Sequence, residues 1–380
     1  YSEMLTEALD SINNSLRNSR STGDNNSFNS TLLWKHKFKK LSRTLSVNTD
    51  LNFNNSSNDG FLYSLNRYYN NGLHDRTDTI DQEQIRDNSA KGISTKISYT
   101  EPLAKDFYME LSHTIAWNSS TSDRQTFEKS GNGKYEDIVD TLSNSFVFDR
   151  LVNTPGLNFR VNKKKYNYSF GAAAGFSQFK QKNKTLSTNT NYNFVNFFPQ
   201  AMYQYKFKPN TSLRINYNGS TQAPSLEQLQ PVAVNTDPLN VYIGNPGLKQ
   251  SFRHSFGAGF NLFNVLKEKG IWTSVNFSMT DKAFVQSSTI DGDGRRTYQT
   301  VNSDGQYYLN LYSDYSFKIK KVRLGAGPTA SLSRNVDFIN GTKNLTTTRN
   351  AGLRVNASMN KENKFDFDFG PEFSWNVSKG

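Results

Sequence analysis

The chain has 380 residues and no cysteine. That absence removes thiol catalysis, thiolate metal sites and disulfides together, and it is compatible with an oxidising envelope compartment without arguing for one. Long apolar runs are missing too. Hydrophobic residues make up 35% of the chain, mean hydropathy is -0.72, and no stretch approaches the ~20 apolar residues that a spanning helix requires. Helical membrane spans are therefore excluded. Histidine is scarce, and His36, His74, His113 and His254 lack metal-ligand spacing, so each reads as a satisfied or solvated side chain. No signal peptide opens the sequence. An exported protein would have lost it or be numbered here from inside a longer chain. The second reading fits better, because Tyr1 leads directly into a helix-like spacing of Leu5, Leu9, Ile12 and Leu16.

Aromatic residues, by contrast, reach 13%, with 28 Phe and 19 Tyr, which argues against disorder despite abundant Asn and Ser. A membrane β-barrel reconciles a polar composition with many aromatics, since only alternate residues of each strand need to face lipid. The order of residues agrees. Phe107, Met109, Leu111, Ile115 and Trp117 alternate with Glu110, Ser112 and Thr114, the period of a strand with one apolar face. Similar runs predict about fourteen strands between Leu32 and Val377, longer than ordinary soluble ones. Residues 1–30 read as a polar linker with room for a short helix, and 31–380 as the barrel.

The connections alternate between two kinds, as antiparallel strands with one short-turn end demand. Short turns are expected near Lys39–Ser42, Glu101–Lys105, Asn162–Lys165, Lys208–Asn210, Val265–Lys269, Lys320–Lys321 and Asn360–Asn363. Long loops are expected near Asn70–Asn88, Asn118–Asp140, Gln181–Asn191, Gln222–Gln250 and Asp337–Leu345, with a tighter hairpin at Asp291–Arg295. Lysines and arginines gather at the short turns, Lys39, Lys40, Arg43 and Lys163 to Lys165 among them, so the formal net charge of +12 reads as a basic rim facing anionic lipid headgroups. Nucleic acid is not expected as a partner, because these residues lie neither on one helix nor within an RNA-binding motif.

The stretch from Tyr217 to Lys249 interrupts the strand rhythm with Pro224, Pro231, Pro238 and Pro246, each of which removes a ladder donor. Ser220, Thr221, Ala223, Pro224, Ser225, Leu226 and Leu229 before the excursion, and Gly244, Asn245, Pro246, Leu248 and Lys249 after it, resemble the signature of TonB-dependent outer-membrane receptors. The resemblance is closer to the outer-membrane β-barrel family common in the Bacteroidota. Many such receptors follow the lysine with Pro-Glu, where this chain has Gln250 and Ser251. The resemblance implies an all-β transmembrane antiparallel barrel, part of a larger one of roughly 22 strands. It further implies uptake of a bulky ligand through extracellular loops and a plugged lumen, at the bacterial outer membrane. The partners it implies are outer-membrane lipid, an energy-coupling protein reached through a segment outside this chain, and a surface lipoprotein or envelope complex. The alternative is a non-transporting barrel subunit of an assembly or secretion complex.

Other features carry less chemistry. Asp291, Gly292, Asp293 and Gly294 resemble the start of a calcium loop but lack its closing glutamate, and Asp-Gly is common hairpin-turn chemistry. Glu110 is open to two readings, half of a hydrolytic carboxylate pair or a partner for a neighbouring Lys or Arg. No Ser, His and acid grouping accompanies it, so the second is the plainer. No enzymatic activity, cofactor or metal is expected. Tyr68, Tyr99, Trp117, Phe198 and Trp272 read as interfacial girdle residues, and loop aromatics such as Tyr242 are open to ligand stacking.

Overall fold

The computed structural model describes residues 2–5, 11–70, 73–185, 187–229, 239–361 and 364–380. In chain order the elements begin with strands β1 (Ser2–Leu5), β2 (Ser11–Lys37), β3 (Thr44–Asn70), β4 (Leu73–Ala104), β5 (Phe107–Lys129) and β6 (Tyr135–Ile138). Next come β7 (Asn144–Asn162), β8 (Tyr166–Asn183), β9 (Thr188–Lys208), β10 (Thr211–Gln222), the single turn of helix α1 (Leu226–Leu229), β11 (Asn240–Ile243) and β12 (Ser251–Asn264). The chain continues through β13 (Lys269–Asp281), β14 (Ala283–Ile290), β15 (Arg296–Ser303), β16 (Gln306–Ile319), β17 (Val322–Ile339), β18 (Thr342–Lys361), β19 (Phe365–Phe369) and β20 (Glu372–Lys379). No helix among the described residues is long and apolar enough to cross a membrane.

One antiparallel wall dominates. Its neighbours run β2, β3, β4, β5, β7, β8, β9, β10, β12, β13, β16, β17, β18 and then β19 with β20. The last two share one register on β18 and are interrupted only at Gly370 and Pro371, where the proline has no N–H to offer. From Leu32 onward this is the strand rhythm that alternation predicts.

Pairing also sorts the residues onto two faces. One row crosses the wall through Phe159, Phe170, Ala201, Tyr217, Phe256, Phe277, Leu309 and Leu332. The adjacent row, one residue away on each strand, reads Glu110, Asn158, Gly171, Gln200, Asn218, Ser255, Ser278, Tyr308 and Ser333. Burial is inverted relative to a water-soluble protein. Phe170, Phe176, Phe197, Ile215 and Phe256 are about half exposed on the apolar face, while Ser64, Asn66, Gln82, Thr126, Ser177 and Asn196 are buried on the polar one. An apolar exterior around a polar interior is stable only when hydrocarbon surrounds it.

Four expectations need correction. Residues 11–30 are not a linker but the first part of β2, paired with β3 from Asn13↔Tyr68 to Lys37↔Thr44. Ser and Asn on both faces of that stretch hide the period, yet the long β3 offers it a complete ladder. Residues 2–5 are strand as well, so of the proposed helix only 6–10 lie outside the described residues. The loops expected at Asn70–Asn88, Asn118–Asp140, Gln181–Asn191 and Asp337–Leu345 are instead largely continued strand, because β3, β4 and β5 keep pairing well above the apolar band, β8 and β9 pair as far as Asn183↔Thr188, and β17 and β18 as far as Ile339↔Thr342. The runs Ile271–Ile290 and Thr297–Ile319 each break once, at Lys282 with φ 50° and at Gly305 with φ 111°, left-handed backbone that ends a ladder.

Candidate functional site

The two ends of the wall differ in chemistry. At the short-turn end, Glu101 accepts from Arg43 Nε at 2.7 Å and Nη2 at 2.8 Å, from Lys40 Nζ at 2.6 Å and from the Tyr99 hydroxyl at 2.5 Å. The hydrogen bonds from Arg43, Lys40 and Tyr99 hold its carboxyl down at about 2. Glu268 likewise faces Lys318 at 2.6 Å and Arg323 at 3.4 Å. The basic rim read from the sequence is thus partly neutralised by carboxylates that tie adjacent turns together.

The other end is built around the motif loop. Ser220 and Thr221 finish β10, and the Thr221 hydroxyl accepts from the Phe197 N–H at 2.9 Å, which fixes the strand end on β9. Ala223, buried Pro224 and Ser225 lead into α1. Ser225 caps it: the Gln228 N–H donates to Ser225 Oγ at 3.3 Å, while Gln228 Oε1 accepts from the Ser225 N–H at 2.9 Å. Leu226 and Leu229 belong to that turn, with Leu229 only 2% exposed. Pro231 and Pro238 lie outside the described residues.

After the gap, β11 pairs parallel with β15, from Asn240↔Arg296 to Ile243↔Gln299. The second half of the motif fastens that pairing. The Gly244 carbonyl accepts from Gln299 Nε2 at 3.2 Å, and Asn245 Nδ2 donates to the Thr300 carbonyl at 3.0 Å while its Oδ1 accepts from the Gly247 N–H at 2.9 Å. Exposed Pro246 occupies the turn between them. Leu248 is buried, and the Lys249 N–H donates to Asn302 Oδ1 at 2.7 Å. The Asn245 N–H also reaches the Gln228 carbonyl at 2.6 Å, so both halves of the motif meet. The structure therefore assembles the motif residues into one latch on the β14–β15 hairpin.

That hairpin is an insertion between β13 and β16, which pair directly with each other. Val285 and Ala283 of β14 pack with Val336 of β17, and β14 pairs parallel with β17 at Ser287↔Phe338. Its Asp291–Arg295 turn is the Asp-Gly turn expected, with Asp291 Oδ1 accepting from the N–H groups of Asp293 and Arg295. Sequence reasoning missed what the turn touches. Asp293 Oδ2 lies 2.7 Å from Arg76 Nη2, and its carbonyl accepts from Asn13 Nδ2 at 2.7 Å. Only a sequence separation of 217 links the ion pair, and no local pattern carries it. Along the wall, β4 and β13 are separated by β5, β7, β8, β9, β10 and β12, about 34 Å at ~4.8 Å per strand. Asp293 stands twelve residues beyond Asp281, the last residue of β13, a reach of up to about 40 Å at ~3.3 Å per residue, so a hairpin of this length bridges the two flanks.

The remaining candidates are placed individually. Tyr99 and Trp117 stand on the apolar face as girdle residues do, but Phe198 and Trp272 share register with Ala173 and Asn261 on the polar face. Tyr68 is buried under Arg76, whose guanidinium lies 4.2 Å from its ring. Glu110 forms no ion pair among the described residues, and its cross-strand neighbours are Thr100 and Asn158. His254 sits between the Tyr217 hydroxyl at 3.0 Å and Asp281 at 3.4 Å. Tyr242 stacks on Tyr298 with centroids 4.8 Å apart.

A family profile described as "Outer membrane protein beta-barrel family" matches residues 36–379. No curated protein matches the chain. Among solved structures, the RagAB peptide transporter aligns with a TM-score of 0.50 at 11% identity, over 93% of this chain and 48% of that one. The Serratia marcescens hemophore receptor HasR, in complex with its hemophore HasA and heme, gives 0.48 at 9% identity, over 94% and 66%. The ferric citrate transporter FecA gives 0.43 at 8%, over 88% and 53%. This chain thus spans about half to two thirds of the length of these neighbours.

Proposed function

The chain belongs to the outer membrane protein beta-barrel family, and from that premise we propose that it forms the barrel wall and mouth of a TonB-dependent receptor-like transporter in the bacterial outer membrane. The observation that carries this reading is a hairpin that reaches from one flank of the wall to the other at the motif end. A passive porin leaves an open aqueous channel. Here the described parts of the motif loop fasten the β14–β15 hairpin, whose Asp293 reaches Arg76 of β4 and Asn13 of β2 on the opposite flank. A mouth that must be uncovered suits capture of a specific bulky ligand rather than free diffusion. Energy coupling would be supplied by a partner acting through a segment outside these residues.

The same reading includes further strands. Among the described residues, the far edges of β2 beyond Ser19 and of β19 and β20 have no pairing partner, and an unpaired strand edge is not tolerated in hydrocarbon. Strands outside this chain would close the wall.

The test is uptake in the native host. Deleting the gene should abolish accumulation of one class among labelled oligopeptides, oligosaccharides and ferric chelates, and dissipating the proton-motive force should abolish the same uptake in wild-type cells. Unaltered uptake of every class, with the protein co-purifying in a secretion or assembly complex, would favour the non-transporting barrel.

A further inference from the structure

We propose that the β14–β15 hairpin is a strap across the barrel mouth, pinned by Arg76 and Asn13 to Asp293, and that releasing this pin opens the lumen. The inference rests on the uptake reading but concerns access to the lumen, which is measured without any ligand.

Three features make the pin releasable. First, it is light: the Arg76 and Asp293 side chains are 44% and 53% exposed, so water competes for both. Second, Arg76 keeps partners when Asp293 leaves, because Asp75 lies 3.7 Å from its Nη1 and Asp78 3.6 Å from its Nε. Release therefore strands no charge. Third, both feet of the hairpin stand where wall pairing stops, at Lys282 and Gly305 with their positive φ. Asp304 Oδ1 accepts from the Lys282 N–H at 2.6 Å, and the Gly305 carbonyl accepts from Arg334 Nε at 2.8 Å. The feet are held by a few polar contacts while the body keeps its small apolar core of Ala283, Val285 and Val336. The strap is thus firm along its length and weakest at its tip.

These residues contain no cysteine, so with any cysteine elsewhere in the full-length protein replaced, Gln200→Cys on the polar row reports lumen access by itself. In the full-length protein on intact cells, its reaction with a bulky impermeant maleimide should rise roughly two- to five-fold when Asp293→Asn or Arg76→Gln is added, the factor a half-exposed ion pair can hold. The exchange of Arg76→Asp with Asp293→Arg should bring the rate back down. Separately, Arg76→Cys with Asp293→Cys should be joined by a short bis-maleimide, since the arginine's length places the two backbones beyond disulfide reach. Failure of that cross-link would remove the contact. Equal labelling of Gln200→Cys in all backgrounds would show that the contact does not gate the lumen, and either result overturns the proposal while leaving uptake itself to be decided separately.

Discussion

Glu101 accepts from three side chains at the short-turn rim, and its carboxyl is held at about 2 against an ordinary value of 4.5. A depressed carboxylate stabilises the folded state above its unfolded value, and that contribution is lost as pH falls through the folded one. Glu101→Gln should therefore unfold more readily than wild type at neutral pH, and the gap between their denaturation midpoints should close between about pH 4.5 and pH 2. A gap independent of pH would show that the ion pairs are not its source. On the wall, Leu111 and Ser112 sit in opposite rows. Leu111→Arg should cost about 2 to 4 kcal/mol in a urea titration in lipid vesicles, as an arginine near the lipid midplane does, and Ser112→Arg much less. The reverse order would put the register one residue out. This alternation was legible from sequence because burial by lipid selects every second residue. The sides of Phe198 and Trp272 were not, since aromatics suit either a lipid boundary or a wide polar interior.

The motif loop shows where reading by elements succeeds and stops. Its residues were legible as a unit, while the capping of α1 by Ser225 and Gln228 came only from the structure. Its target was not legible, because the parallel pairing of β11 with β15 joins segments 56 residues apart, from Asn240 to Arg296. Nor could periodicity place Ser11 to Ser30 in β2, since Ser and Asn on both faces of that stretch leave no apolar alternation to read. Asn245 is the element's most exacting position, as its amide bridges the Thr300 carbonyl and the Gly247 N–H. Asn245→Ala should loosen the hairpin by about 1 to 3 kcal/mol, the usual cost of stranding part-buried polar groups. Limited proteolysis or hydrogen exchange over residues 282–305 would register it as faster cutting or exchange there, with β12 and β13 unchanged. Uniform behaviour across all these strands would mean that the motif does not hold the hairpin.

For the molecule as a whole, the inverted distribution of apolar and polar side chains, the continuous antiparallel wall and the family match describe one object, a barrel wall crossing the outer membrane. The proposed orientation puts the basic rim in the periplasm and the motif end at the cell surface, as in outer-membrane barrels generally. Topology is the claim on which the uptake reading and the strap both stand, and because these residues contain no cysteine it is measurable once any cysteine elsewhere in the protein is replaced. Single cysteines at exposed Asn132, between β5 and β6, and at exposed Lys164, between β7 and β8, report the two ends. On intact cells an impermeant thiol reagent should label Asn132→Cys and leave Lys164→Cys unreacted until the outer membrane is permeabilised. Labelling of Lys164→Cys alone on intact cells would contradict the account, because it would put the latch and its strap in the periplasm.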